Sequence, residues 1–178
     1  KLDKELRLLP RLQQQLPVSV PQFKFSTRSS ASFPFAYAGY RKMVGLFGWN
    51  VLDAQLYKES LARSLAETLG ALHRFPRSEA LALGCDEEYA SIDETYGAEL
   101  VAEFARIGDC PSRDEFEQPL KRYIDSIDLS TLGEPLDLTV AHTDLLPDHI
   151  LLPASLNRIC GIIDWGEVKI TDPAEDFA

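Results

Sequence analysis

His142, Asp144, Asp148 and His149 crowd into eight consecutive residues, and a further carboxylate, Asp164, stands twenty residues beyond Asp144. Two carboxylates with a nitrogen ligand are the equipment for moving a phosphoryl group. One carboxylate accepts the proton of an attacking hydroxyl, while the second and a neutral neighbour hold Mg2+ on the phosphates of a nucleotide. Asp144 suits the first duty, Asp164 the second, and His149 that of the neutral ligand. The three must then meet, although they belong to two separate loops.

The flanking residues indicate how. Leu136, Leu138 and Val140 alternate in a strand that ends at Ala141, and the polar cluster begins at once. Ile150–Leu152 and Ile159–Ile163 are short apolar runs joined by a turn rich in Pro, Ser and Asn, and the second leads straight into Asp164-Trp165-Gly166-Glu167. Such runs read as strands with a tight connection. They are expected to bring the ends after Ala141 and Ile163 to the same edge of one small sheet, where Asp144, His149 and Asp164 would converge.

A kinase-type site carries an Asp, a metal ligand five residues later, and an Asp-x-Gly after a further strand. Asp144, His149 and Asp164-Trp165-Gly166 keep that order. The stretch resembles the aminoglycoside phosphotransferase family, whose catalytic loop reads roughly His-Gly-Asp-Leu-x-Pro-x-Asn-Ile-Leu. The metal loop of that family reads Ile-Ile-Asp-Trp, then six residues, then Asp-Pro-x-x-Asp-Phe/Leu. The matching positions are His142, Asp144, Leu145, Pro147, Ile150, Leu151, Ile162–Trp165, Asp172, Pro173 and Asp176. Two residues depart from it: Thr143 stands where Gly is commoner, and His149 where Asn usually binds metal. A His at that place is similar to the branch containing the 2''-aminoglycoside and macrolide phosphotransferases. Neutral imidazole ligates divalent ions, yet Mg2+ prefers hard oxygen donors. A phosphate contact or a water-bridged one therefore stays open for His149.

The resemblance implies roles for other residues. His142 is expected to hold its loop by hydrogen bonds, and Asp148 to be a solvated loop residue. Leu151 and Ile163 are either core or the apolar floor beneath a purine. Asp172 and Asp176 have turn and capping chemistry, and Glu167 faces either acceptor or metal. Tyr40-Arg41-Lys42-Met43-Val44-Gly45 falls where the hinge between lobes should lie, which assigns Tyr40, Arg41 and Met43 to the nucleotide. Such a contact uses backbone groups and is largely blind to side chains, so Arg41 and Lys42 read equally as solvated and Met43 as core. Glu5 is the candidate partner of a strand Lys that grips phosphates. That Lys and its phosphate-covering loop would lie before Lys1, and further acceptor-binding helices beyond Ala178, so the chain is expected to be a piece of a longer protein.

Along the chain, Leu2, Leu6, Leu8, Leu9 and Leu12 fall near helical spacing within Lys1–Leu16, with Pro10 expected to break or restart the helix. Pro17–Arg28 (Val18, Val20, Phe23, Phe25) reads as a strand with an edge at Pro21. Phe33–Arg41 reads as a second strand after the polar turn Ser26–Ser32. Asn50 or Asp53 caps a helix running to about His73, with Leu52, Leu56, Leu61, Leu65, Leu69 and Leu72 along one face. His73 is expected to end it as a packing or capping residue, and Pro76 closes the segment. Cys85–Ile107 and Ser112–Ile127 read as two further amphipathic helices with acidic faces: Asp86, Glu87, Glu88, Asp93, Glu94, Asp114, Glu115 and Glu117. In the resembling family, helices there flank the acceptor cleft; ordinary solvated faces explain the same residues.

Composition bounds the rest. A 178-residue chain that is 45% hydrophobic has enough apolar surface for a core. A formal charge of −10 disfavours nucleic acid and suits a cationic partner, although solubility alone also accounts for it. Three unpatterned cysteines, Cys85, Cys110 and Cys160, form no metal or disulfide framework and point to a reducing cytoplasm. No apolar run reaches membrane length.

The expectation is an α+β, protein-kinase-like two-lobed fold: residues 1–44 ending the nucleotide-binding lobe and forming the hinge, residues 45–178 a mainly helical lobe with the catalytic and metal loops. The implied activity moves the γ-phosphoryl of ATP or GTP, with Mg2+, to a hydroxyl of a small molecule such as an aminoglycoside or macrolide antibiotic. A kinase for a choline-like or sugar acceptor and a non-catalytic nucleotide-binding module remain the alternatives. A protein kinase is disfavoured, because the chain moves within eight residues from Asp164 to Asp172 and leaves little room for an activation loop.

Overall fold

Leu8, Leu9 and Leu12 share one face of α1 (Leu2–Gln15), and all three are fully buried. Helical spacing makes them a stripe, and each gains roughly 1.5–3 kcal/mol by leaving water. The computed structural model describes residues 1–48, 59–88 and 137–177. By its contacts the chain divides into two compact units, Lys1–Glu88 with Leu138–Ala178, and Tyr89–Asp137; every element below belongs to the first. The expected break at Pro10 does not occur: α1 runs through it. Pro10 lies on the exposed side, so its ring meets no core neighbour, and packing of the leucine stripe outweighs the lost backbone hydrogen bond.

The expected strand at Pro17–Arg28 is really two segments. Val18 and Val20 are buried in an extended stretch whose Ser19 bridges Gly161, exchanging bonds with Cys160 O and Ile162 N at 3.0 Å each. After Pro21, β1 (Phe23–Thr27) pairs antiparallel with β2 (Tyr37–Tyr40). The second strand is shorter than Phe33–Arg41 because Ser30 and Phe33 close a turn on each other. Rings line this ribbon: Phe25 meets Tyr37 edge-on at 6.4 Å, and Phe33 meets Tyr37 at 5.5 Å.

Beyond the hinge segment comes β3 (Leu46–Phe47). Helix α2 is described over Glu59–His73, and it buries Leu69 and Leu72 as expected, with Leu61 and Leu65 half-buried; Leu52 and Leu56 lie outside the described residues. A helix not read from sequence follows, α3 (Arg77–Leu83), entered at Pro76 and ended by Gly84 at φ 95°, a conformation that favours glycine. The helix expected from Cys85 does not begin there. Asp86, Glu87 and Glu88 are extended alongside Ile170, whose N–H bonds Asp86 O at 2.8 Å and whose carbonyl accepts Glu88 N–H at 2.9 Å. The rest of that helix and Ser112–Ile127 lie outside the described residues.

The last strands correct the single-sheet expectation. β4 (Thr139–Ala141) pairs antiparallel with β7 (Lys169–Thr171), while β5 (Ile150–Leu152) pairs with β6 (Gly161–Ile162) on one side and β3 on the other. Two small sheets thus feed the catalytic stretch, not one. The three residues of β7 are too few for a sequence pattern to reveal. Trp165, Val140, Ile162, Val168 and Ile170, all without exposure, join the α1 leucines in one core. Among the described residues no helix is long and apolar enough to cross a membrane.

Candidate active site

Asp144 follows β4 by three residues, and His149 directly precedes β5, so the loop between them is pinned at both ends. Asp164 follows β6 by two residues, at φ 63° and ψ 60°, a left-handed conformation that Asp tolerates. The two loops meet through backbone: Ile163 N–H bonds His149 O at 3.0 Å. Asp144, His149 and Asp164 each offer a ligand atom, all within 4.8 Å of one another. The expected convergence is present, although it arises from two sheets.

The hydrogen bonds fix the imidazole's tautomer. His149 Nδ1 lies 2.6 Å from the Asp144 carbonyl, and a carbonyl only accepts, so Nδ1 carries the hydrogen. In the neutral ring the lone pair is therefore on Nε2, which stands 3.6 Å from Asp164 Oδ2. Asp144 Oδ2 is 3.5 Å from Nδ1. Two carboxylates and one imidazole lone pair converge here, a donor set suited to a divalent ion.

His142 ties the loops from beneath. It has no exposure; Nε2 donates to Ile163 O at 3.1 Å, and Nδ1 accepts Asp144 N–H at 3.3 Å. Acceptance at Nδ1 requires the neutral ring, and burial lowers its pKa from the ordinary 6.5. Trp165 packs edge-on against it at 4.7 Å and donates Nε1–H to Ile162 O. The loop-holding part expected of His142 is what these bonds perform.

Thr143 has φ 62°. A preference for Gly at this place has a physical reason: a β-branched residue there is strained. Two bonds hold it, Thr143 N–H to Asp176 Oδ1 at 2.9 Å and Oγ1–H to the Glu167 carbonyl at 3.0 Å. Asp172 closes its own turn, Oδ1 accepting Ala174 N–H at 2.8 Å. Asp176 instead caps the catalytic loop from a distance, which no local pattern announces. Glu167 pairs with Lys1, and neither it nor Asp148 is in the three-residue cluster.

Of the expected nucleotide residues, Met43 and Leu151 come together over the β5–β6 hairpin. A Cβ on Gly161 would fall 2.6 Å from Met43 Cε and 3.3 Å from Leu151 Cδ1, so a larger residue there would push the end of the Met43 side chain aside. Leu151 is buried and Ile163 half-buried. Tyr40 packs edge-on against Phe23 at 5.7 Å; burial, then the Asp164 and Glu5 carboxylates, push its phenol pKa up. Arg41 and Lys42 are exposed. Glu5, half-buried, has its pKa raised by burial and then by Asp164, and its Oε1 lies 4.0 Å from where a Cβ on Gly166 would stand. A raised carboxyl beside a second carboxylate favours a cation between them.

The whole chain, residues 1–178, matches the model of the phosphotransferase enzyme family, APH. It is similar to the GDP and kanamycin complex of APH(2")-IIia, with 27% identity over 99% of this chain and 59% of that one, at a TM-score of 0.74. It is similar also to macrolide 2'-phosphotransferase MphH from Brachybacterium faecium, an apoenzyme: 26% identity, 98% and 56% of the two chains, TM-score 0.59. The uncharacterized protein YcbJ of Bacillus subtilis (strain 168) is 46% identical over 39 residues, 22% of this chain and 12% of that protein. The chain spans less than two thirds of the length of each. It belongs to the phosphotransferase enzyme family and takes up part of the kinase-like fold.

Proposed function

We propose that the protein carrying this chain transfers the γ-phosphoryl of ATP or GTP to a hydroxyl of a small molecule, an aminoglycoside or macrolide antibiotic. The observation that carries this is the meeting of Asp144, His149 and Asp164, with the imidazole lone pair turned toward Asp164. Asp144, its side chain 36% exposed, receives the hydroxyl proton and orients the attacking oxygen. Asp164 and His149 Nε2 would hold Mg2+, which when bound would neutralise charge on the phosphates. Leu151 and Ile163 form the apolar floor beneath the purine, and the hinge segment with Tyr40, Arg41 and Met43 faces its edge. Glu5 pairs with the phosphate-gripping lysine that the family resemblance implies. Residues 1–44 then serve the nucleotide side and residues 45–178 the acceptor side, in a cytoplasmic protein.

The acceptor class is supported by the relatives, one solved with GDP and kanamycin and one named for macrolides, and by a charge of −10 that suits a cationic antibiotic. The test is nucleotide consumption by the complete gene product, with ATP or GTP and Mg2+, against aminoglycosides, macrolides, choline and simple sugars. Diphosphate release dependent on an aminoglycoside or macrolide is the expected result. Turnover on choline or a sugar alone would move the acceptor class. Tight nucleotide binding without turnover would leave a binding module, and no nucleotide binding would overturn the proposal.

A further inference from the structure

Asp176 serves two elements at once. Its side chain has no exposure, Oδ1 accepts Thr143 N–H at 2.9 Å, and Oδ2 stands 2.8 Å from Nε2 of His73, the last residue of α2. A carboxylate that accepts at both oxygens needs a donor on each, so His73 Nε2 carries its hydrogen toward Asp176. Phe177 packs edge-on against the His73 ring at 6.5 Å. The chain of contacts runs from α2 to the residue immediately before Asp144.

That residue is also the strained one. Thr143 at φ 62° lies outside the ordinary range of β-branched side chains, and such conformations persist only where surroundings over-determine them. Two bonds hold it there: its N–H on Asp176 and its hydroxyl on the Glu167 carbonyl. The first depends on the direction of the Asp176 carboxylate, which His73 sets by holding the other oxygen. Without His73, the carboxylate can rotate away, Thr143 can relax toward an extended conformation, and Asp144 turns with it.

We infer that His73 is a positioning residue for phosphoryl transfer, acting through Asp176 and the Thr143 amide on the direction of Asp144. The inference rests on the proposed function, since it assigns His73 a share in the rate of that reaction. In the catalytic loop a misplacement of about 1 Å is worth about 100-fold in rate, and supporting residues of this kind typically cost about 10- to 100-fold when removed.

The experiment compares His73→Phe, which keeps a ring of similar size without a donor, and His73→Gln, which keeps a donor, in the full protein. Turnover, nucleotide KM and hydrogen exchange at the Thr143 amide are all read. His73→Phe is expected to lower kcat about 10- to 100-fold with little change in nucleotide KM, and to speed exchange at Thr143; His73→Gln restores both. Unchanged exchange in His73→Phe overturns the anchoring, and faster exchange with undiminished kcat overturns the positioning role. If His73→Phe does not fold, His73→Asn, too short to span the distance to Asp176, takes its place with the same two readings. Wild-type protein without phosphotransfer sinks the proposed function, whereas the Thr143 amide still reports whether His73 holds the loop.

Discussion

Thr143 and His142 show how single residues set the aim of a loop. At φ 62° Thr143 carries roughly 1–2 kcal/mol of backbone strain, while its hydroxyl bond to Glu167 O returns about 1 kcal/mol. Thr143→Gly sheds strain and bond together and is expected to leave stability nearly unchanged. Thr143→Val keeps the strain, loses the bond, and should be less stable than Thr143→Gly by roughly 1–2 kcal/mol, the strain itself, measurable by denaturant unfolding. At the chemistry itself, Asp144→Asn should cut turnover about 100- to 10,000-fold while nucleotide still binds, and near-normal turnover would remove Asp144 as the base. His142 is buried neutral with a lowered pKa. The unfolded chain therefore takes up a proton below pH 6.5 that the folded one resists, and stability falls as pH drops through that window. His142→Asn should flatten the slope of unfolding free energy against pH between about 5 and 7, the region that the ordinary histidine pKa defines.

Among the elements, those with a long or regular pattern could be read from the residues, and those ruled by distant partners could not. The α1 leucines and the apolar runs of β5 and β6 announced themselves, because burial demands their spacing. Pro10 misled, since local chemistry argues for a break while the packing of Leu8, Leu9 and Leu12 decides otherwise. Pro10→Ala is accordingly expected to stabilise α1 by up to about 3 kcal/mol, seen as a higher melting temperature. β7 and α3 were too short to show a period. In the site, Asp144, His149 and Asp164 were legible as residue types at set spacing. Their union through two sheets was not, because strand pairing between β4 and β7 joins residues about thirty positions apart. His73 was legible only as the packing or capping end of α2, and its bond to Asp176 was not, because that partner lies 103 residues away.

Seen whole, the described unit is laced by bonds between its two ends. The ammonium of Lys4, buried at 8% exposure, donates to the Val168 carbonyl across 164 residues, just past the loop that holds Asp164. His73 reaches Asp176, and Ser19 threads between Cys160 and Ile162. Nothing local can set the direction of the catalytic and metal loops until these crossings close. Loop-closure entropy must be met before such contacts form, so chains rich in them fold slowly. Refolding of the full protein from denaturant should therefore regain the far-ultraviolet signal of α1 and α2 well before it regains the proposed phosphotransfer. The Lys4 crossing makes assembly of the site an event late in time, and a ribosome must release the segment through Val168 before the first helix can meet its partner.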